Sequence, residues 1–127
     1  MLSIRIGLMG AGRMATALAR GLVRAEMVPA GSIVACDPSE EAGKAFKAEV
    51  PGTIVEANKA ADVARADVVV LAVKPQQMSE ALAAIRSGIG GNALVVSIAA
   101  GVTIERLEAA LPGGQRVIRV MQEPLAK

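Results

Sequence analysis

Gly10-Ala11-Gly12-Arg13-Met14-Ala15 is a G-x-G-x-x-A sequence close to the start of the chain. Glycines at this spacing act through the backbone. The first allows a tight turn, the second leaves no side chain in the way of a ligand, and the small sixth residue lets a following helix lie close to a preceding strand. Bare N–H groups at the start of that helix carry partial positive charge, which suits a diphosphate. The pattern carries information only between a strand and a helix, and that is where it falls. Ile4 to Met9 is an apolar run, and Met14, Leu18, Gly21, Leu22 and Ala25 follow at helical spacing.

Asp37 ends the next apolar run, Ser32 to Cys36, 25 positions after Gly12. In dinucleotide-binding units a carboxylate about 20 residues on accepts hydrogen bonds from the adenosine ribose hydroxyls. Preceding Pro38 and Ser39, Asp37 is also able to N-cap the next helix, and the two roles are compatible. Facing a ribose, its charge would oppose a 2′-phosphate, which favours NADH over NADPH unless Arg13 or Lys44 compensates. Arg13 can lean on a diphosphate or stand solvated. Lys74 follows a buried strand, so its ammonium can reach the mouth of a crevice and orient a nicotinamide or a substrate carboxylate; the alternative is a plain surface lysine.

These residues need a scaffold, and the hydrophobic pattern supplies one. Pro38 suits the first turn of a helix that runs to about Val50, with Glu40 and Glu41 at its positive end and Lys44 one turn on. Thr53 to Val55 is a weak third strand, and Asn58 to Arg65 a short Ala-rich helix with Asn58 as its N-cap. Asp67 to Val73 has no alternation, the mark of a strand buried on both faces. Pro75 opens a helix with Met78, Leu82 and Ile85 on one stripe. Leu94 to Ile98 is a fifth strand, Thr103 caps a helix that turns Ile104, Leu107 and Leu111 inward, and Arg116 to Met121 is a sixth strand. Strands alternating with helices imply right-handed crossovers. The expected fold is α/β: a doubly wound, mostly parallel six-stranded sheet of the Rossmann type, whose ligands bind at the carboxyl ends of the strands. Residues 1–121 would form one nucleotide-binding domain and 122–127 a short tail.

Composition narrows the field. The chain has 127 residues, enough for one core without disulfides or metals. It is 53% hydrophobic with Phe46 as its one aromatic residue, so the core must be aliphatic. A net charge of +2 without clustering argues against nucleic acid. There is no His and only Cys36, which excludes an internal disulfide and a zinc or catalytic thiol pair and suits a reducing, cytoplasmic setting. Arginines interrupt the apolar N-terminus, against a signal peptide, and glycines fill the uncharged stretch after Ser87, against a membrane span.

Four segments together resemble the N-terminal domain of pyrroline-5-carboxylate reductase: Ile6 to Ala15, Leu71-Ala72-Val73-Lys74-Pro75, Ser97 to Ile104, and Arg116 to Met121. The resemblance covers nearly the whole chain. It implies NAD(P)H-dependent reduction of 1-pyrroline-5-carboxylate to L-proline, a step of proline biosynthesis. It places Met9, Gly10, Ala11, Gly12, Arg13 and Met14 around the pyrophosphate, Asp37 and Pro38 near the ribose, and Asn58 near the adenosine. Ala72, Val73, Lys74, Pro75, Ala99, Ala100 and Gly101 would line the nicotinamide side, with Lys74 the one candidate for a catalytic role. Hydride donation to a protonated cyclic imine develops little charge that calls for a general base, so the absence of His is no objection. The sequence departs from the family at Arg13, where an uncharged residue is usual, and after Met121, where Gln122 to Lys127 replace a Pro-Asn-Thr-Pro continuation. Enzymes of this kind continue into a helical dimerisation domain that completes the substrate pocket, so this chain by itself is expected to be the cofactor half and inactive alone. A non-catalytic dinucleotide-binding fragment, or a relative among hydroxyacid and phosphogluconate dehydrogenases, stays open as an alternative. The sixth strand, without its usual dimer partner, is expected to leave apolar surface for self-association.

Overall fold

A computed structural model describes residues 1–120. Six strands, β1 (Ile6–Met9), β2 (Ile33–Cys36), β3 (Ile54–Glu56), β4 (Val68–Leu71), β5 (Leu94–Ser97) and β6 (Arg116–Arg119), make one sheet in the order β3-β2-β1-β4-β5-β6. Every pairing is parallel. Met121 and the expected tail lie outside the described residues.

Five helices make the crossovers: α1 (Arg13–Arg24), α2 (Glu40–Glu49), α3 (Ala60–Ala64), α4 (Met78–Arg86) and α5 (Ile104–Ala110). Because successive strand residues point to opposite faces, each central strand feeds two cores. Leu8, Ala35 and Val70 pack with Ala15 and Ala19 of α1 and Phe46 of α2. Val69, Leu71 and Val95 pack with Val63 of α3, Met78, Leu82 and Ile85 of α4, and Leu107 of α5. The stripe expected on α4 is therefore its buried face. The aliphatic composition shows in the fit, since Ala15 and Ala19 are almost fully buried and let α1 lie close to the sheet. At Gly7 in β1 the helix and strand touch directly: a Cβ there would lie 2.7 Å from the Val63 carbonyl oxygen.

Local details correct three of the expected helix starts. The N-cap of α2 is Ser39, whose Oγ accepts from the Ala42 N–H at 3.1 Å. Asp37 is not that cap and Pro38 stands outside the helix, because the Asp37 carboxylate is engaged elsewhere, as described below. Helix α3 begins at Ala60 after Lys59, and Asn58 lies in the preceding turn without capping it. Pro75 opens a 3-10 turn, Pro75–Gln77, that leads into α4. Thr103 caps α5 as expected, accepting from the Arg106 N–H at 3.1 Å. Strand β6 is packed on one face by α5, while Ile118 and Val120 remain 48% and 46% exposed. No helix of the described residues is long and apolar enough to cross a membrane.

Candidate functional site

The carboxyl ends of β1, β2, β4 and β5 meet along one edge of the sheet, and the backbone ties them together there. The Gly10 N–H donates to the Cys36 carbonyl at 2.8 Å, Ala72 N–H to the Met9 carbonyl at 2.8 Å, and Ile98 N–H to the Leu71 carbonyl at 3.1 Å. Gly10 has φ +106°, and a Cβ there would lie 2.7 Å from the Ala72 carbonyl oxygen. Its glycine is thus required twice, by dihedral and by the close approach of β4. Nothing lies within 4 Å of the place a Cβ would take on Gly12. Gly12 caps α1 without a side chain, so the N–H groups of the first turn are left for a ligand.

Asp37 locks this turn. One carboxylate oxygen accepts from the Ala11 N–H and the other from the Ser39 N–H, both at 2.8 Å. A carboxylate has about four lone-pair positions, so it keeps acceptor capacity for hydroxyl groups while its position is fixed. Beside it the buried Cys36 thiol donates to the Ala57 carbonyl at 3.3 Å. Burial pushes the thiol above its ordinary pKa; a backbone hydrogen bond from Lys59 opposes this in part, and the neighbouring Asp37 charge adds a smaller push upward. Cys36 is a wall group, not a nucleophile.

Two of the cavities along this edge share part of their lining. One, of about 300 Å³, runs from Asp37 and Pro38 past Met9, Gly10 and Gly12 to Ala72, Val73 and Lys74. The other, of about 310 Å³, is lined by Arg13, Met14, Pro75, Ile98, Ala99 and Ala100. Both include Gly12, Ala72, Val73 and Lys74, so they form one crevice that bends over the glycine-rich turn. Of the residues expected from sequence, three fall outside its lining. Ala11 is buried beneath the turn, Asn58 is exposed in the turn after β3, and Gly101 lies beyond Ala100 at φ +77°. Lys74 is exposed at the junction and makes no ion pair among the described residues.

Sequence reasoning missed the far wall of the first chamber. It is built by Ala57 and Ala60 on one side and by Gln77, Glu80, Ala81 and Ala84 on the other. The signal was faint: Ala81 belongs to the buried face of α4 and Ala84 is exposed next to it, so hydrophobic spacing marks neither as a cleft residue. Alanines facing a ligand look like alanines facing water.

Residues 5–101 match the family described as NADP oxidoreductase, coenzyme F420-dependent. The chain belongs to this family. Among its relatives, the pyrroline-5-carboxylate reductase of Pseudomonas aeruginosa is 45% identical over 117 residues, covering 92% of this chain and 42% of that protein. The solved pyrroline-5-carboxylate reductase of Coxiella burnetii superposes with a TM-score of 0.82 at 29% identity, over 93% of this chain and 43% of that one. That of Plasmodium falciparum, solved with NADP bound, gives 0.77 at 26% identity, over 95% and 43%. The chain therefore spans about two fifths of the length of the relatives it matches. The resemblance read from the four sequence segments is borne out, and the crevice of this chain lies where the sheet topology places ligands.

Proposed function

We propose that this chain is the cofactor half of a pyrroline-5-carboxylate reductase, binding NAD(P)H for the reduction of 1-pyrroline-5-carboxylate to L-proline. One observation carries the reading: a single bent crevice with the unobstructed Gly12 at its corner and an anchored carboxylate, Asp37, at one end. The residues present fit a dinucleotide, because the space above Gly12 is empty of side chains and the first-turn amides of α1 need an anionic partner. The relatives support it, since they carry this activity in their names and one was solved with NADP.

In this reading Gly10, Gly12, Arg13 and Met14 hold the diphosphate, with Met9 and Ala11 shaping the turn from beneath. Asp37 and Pro38 hold the adenosine ribose, with Asn58 at the rim. Val73, Pro75, Ala99 and Ala100 flank the nicotinamide, and Gly101 sets the turn behind them. The reduced nicotinamide, when bound, supplies a hydride to a carbon–nitrogen double bond. Lys74 stands at the junction and presents its ammonium to a substrate carboxylate, while Ile98 and Ala99 keep water from the ring. Asp37 opposes a 2′-phosphate with its charge, which favours NADH. The protein works in a reducing, cytoplasmic setting, which suits its single buried thiol.

Calorimetric titration with NADH and NADPH tests the reading. NADH is expected to bind, and to bind more tightly than NADPH. Asp37→Ala should weaken NADH about tenfold, the order of one charge-assisted hydrogen-bond set, and reduce or reverse the preference. Binding of neither nucleotide would end the proposal. Supplying the helical domain of a relative in trans should then restore NADH oxidation with the pyrroline substrate.

A further inference from the structure

Helix α3 carries Lys59, its N-cap residue, then Asp62 and Arg65 at intervals of three, which brings them to one face. That face closes a cavity of about 170 Å³ completed by Val34 of β2, Ile54 of β3 and Arg5, the residue before β1. None of these residues lines the crevice. The charges around the cavity do not balance. Asp62 is shared by two cations, Lys59 at 3.4 Å and Arg65 in a closer contact. Arg5 makes no ion pair among the described residues. The acidic residue next to it in space, Asp67, accepts from the Arg5 backbone N–H at 2.8 Å and does not line the cavity. Three cations thus surround one carboxylate, with two aliphatic side chains from the sheet beside them. Like charges gathered in a small cavity with apolar sides repel more strongly than in open water.

We propose that this cavity is a binding site for a small tetrahedral dianion of the phosphate type. Such an ion cancels the two surplus charges. Arg5 and Arg65 offer planar forks that match an oxyanion bidentately, and Lys59 adds a compact point charge. Asp62 holds Lys59 and Arg65 side by side in the empty site and is the one group that opposes the ligand. A bound dianion bridges Arg5, at the sheet, to Lys59 and Arg65, on the helix, and so fastens a helix of only five residues to the strands it rests on. The proposal is independent of the dinucleotide reading, because the two sites share no residue.

The experiment follows amide chemical shifts of the chain during titration with inorganic phosphate, with sodium chloride holding the ionic strength at about 0.15 M so that non-specific attraction is screened. Saturable shifts are expected at Arg5, Ile54, Lys59, Asp62 and Arg65. They are distinguishable from shifts at Gly12 and Arg13, where the diphosphate of a dinucleotide is placed above. Arg5→Gln and Lys59→Gln should each weaken the binding about tenfold, the loss of one hydrogen-bonded charge, and Asp62→Asn should tighten it. Arg24→Gln makes the same change of charge at the exposed end of α1, outside the cavity, and should leave the affinity as it was. Shifts at the five residues that rise linearly without saturating would overturn the proposal and leave a solvated cationic face. An equal weakening in Arg24→Gln would overturn it as well. Phosphate shifts confined to Gly12 and Arg13 would also overturn it, while leaving the dinucleotide reading intact.

Discussion

A methyl group on Gly10 would meet the Ala72 carbonyl oxygen at 2.7 Å while the backbone is held at φ +106°. Clash and dihedral strain act together there, each costing on the order of 1–3 kcal/mol. Gly10→Ala is expected to lower the unfolding free energy by about 3 kcal/mol, read from the urea midpoint. A shift within error of zero would show that the turn yields. Gly12 has no such constraint, since nothing lies near its missing side chain; its substitution should spare stability and strike binding. The sequence spacing distinguished these glycines correctly, because the tight turn and the open approach are local properties of the motif. The fate of Asp37 was less legible. Its carboxylate is claimed by the Ala11 N–H, 26 positions away, a contact that local capping rules do not contain. With Asp37 so engaged, the next capable residue, Ser39, takes the helix cap.

At the level of elements, the strands were the clearest part of the sequence. The run around β4 is β-branched without alternation, and its residues Val69 to Leu71 are all buried, as both-faced burial demands. Helix termini were harder to read, because Asp37, Ser39, Asn58 and Lys59 crowd near two helix starts and only geometry ranks them. The Ser39 cap carries a definite cost: Ser39→Ala should destabilise the protein by about 1 kcal/mol, measured by thermal or urea unfolding. No change would mean that water replaces the hydroxyl at the start of α2 without penalty. The second face of α4 escaped notice for a different reason. Hydrophobic periodicity reports which side of a helix meets the core, and is silent on whether the other side meets solvent or ligand.

For the whole molecule, the alternation of strands and helices was enough to give the parallel doubly wound sheet, because crossover handedness leaves few other arrangements. One consequence concerns the open flank. Strand β6 ends the sheet with Ile118 and Val120 about half exposed on the face α5 does not cover, and we propose that a second copy of the chain covers them. Sedimentation velocity should show a weight-average mass that rises with concentration, and Ile118→Lys should hold the chain monomeric. A monomer at every concentration would refute this. Another consequence lies in the middle of the sheet, at Gly7, where α3 rests on β1 with no side chain as a spacer. Ala60 in the first turn of that helix is part of the chamber wall. The aperture of the crevice is thus gauged by a strand residue that is not part of its lining. Any bulk added there would have to raise the helix like a lid on a wedge, making the interior of the sheet a calibrating element of the cleft.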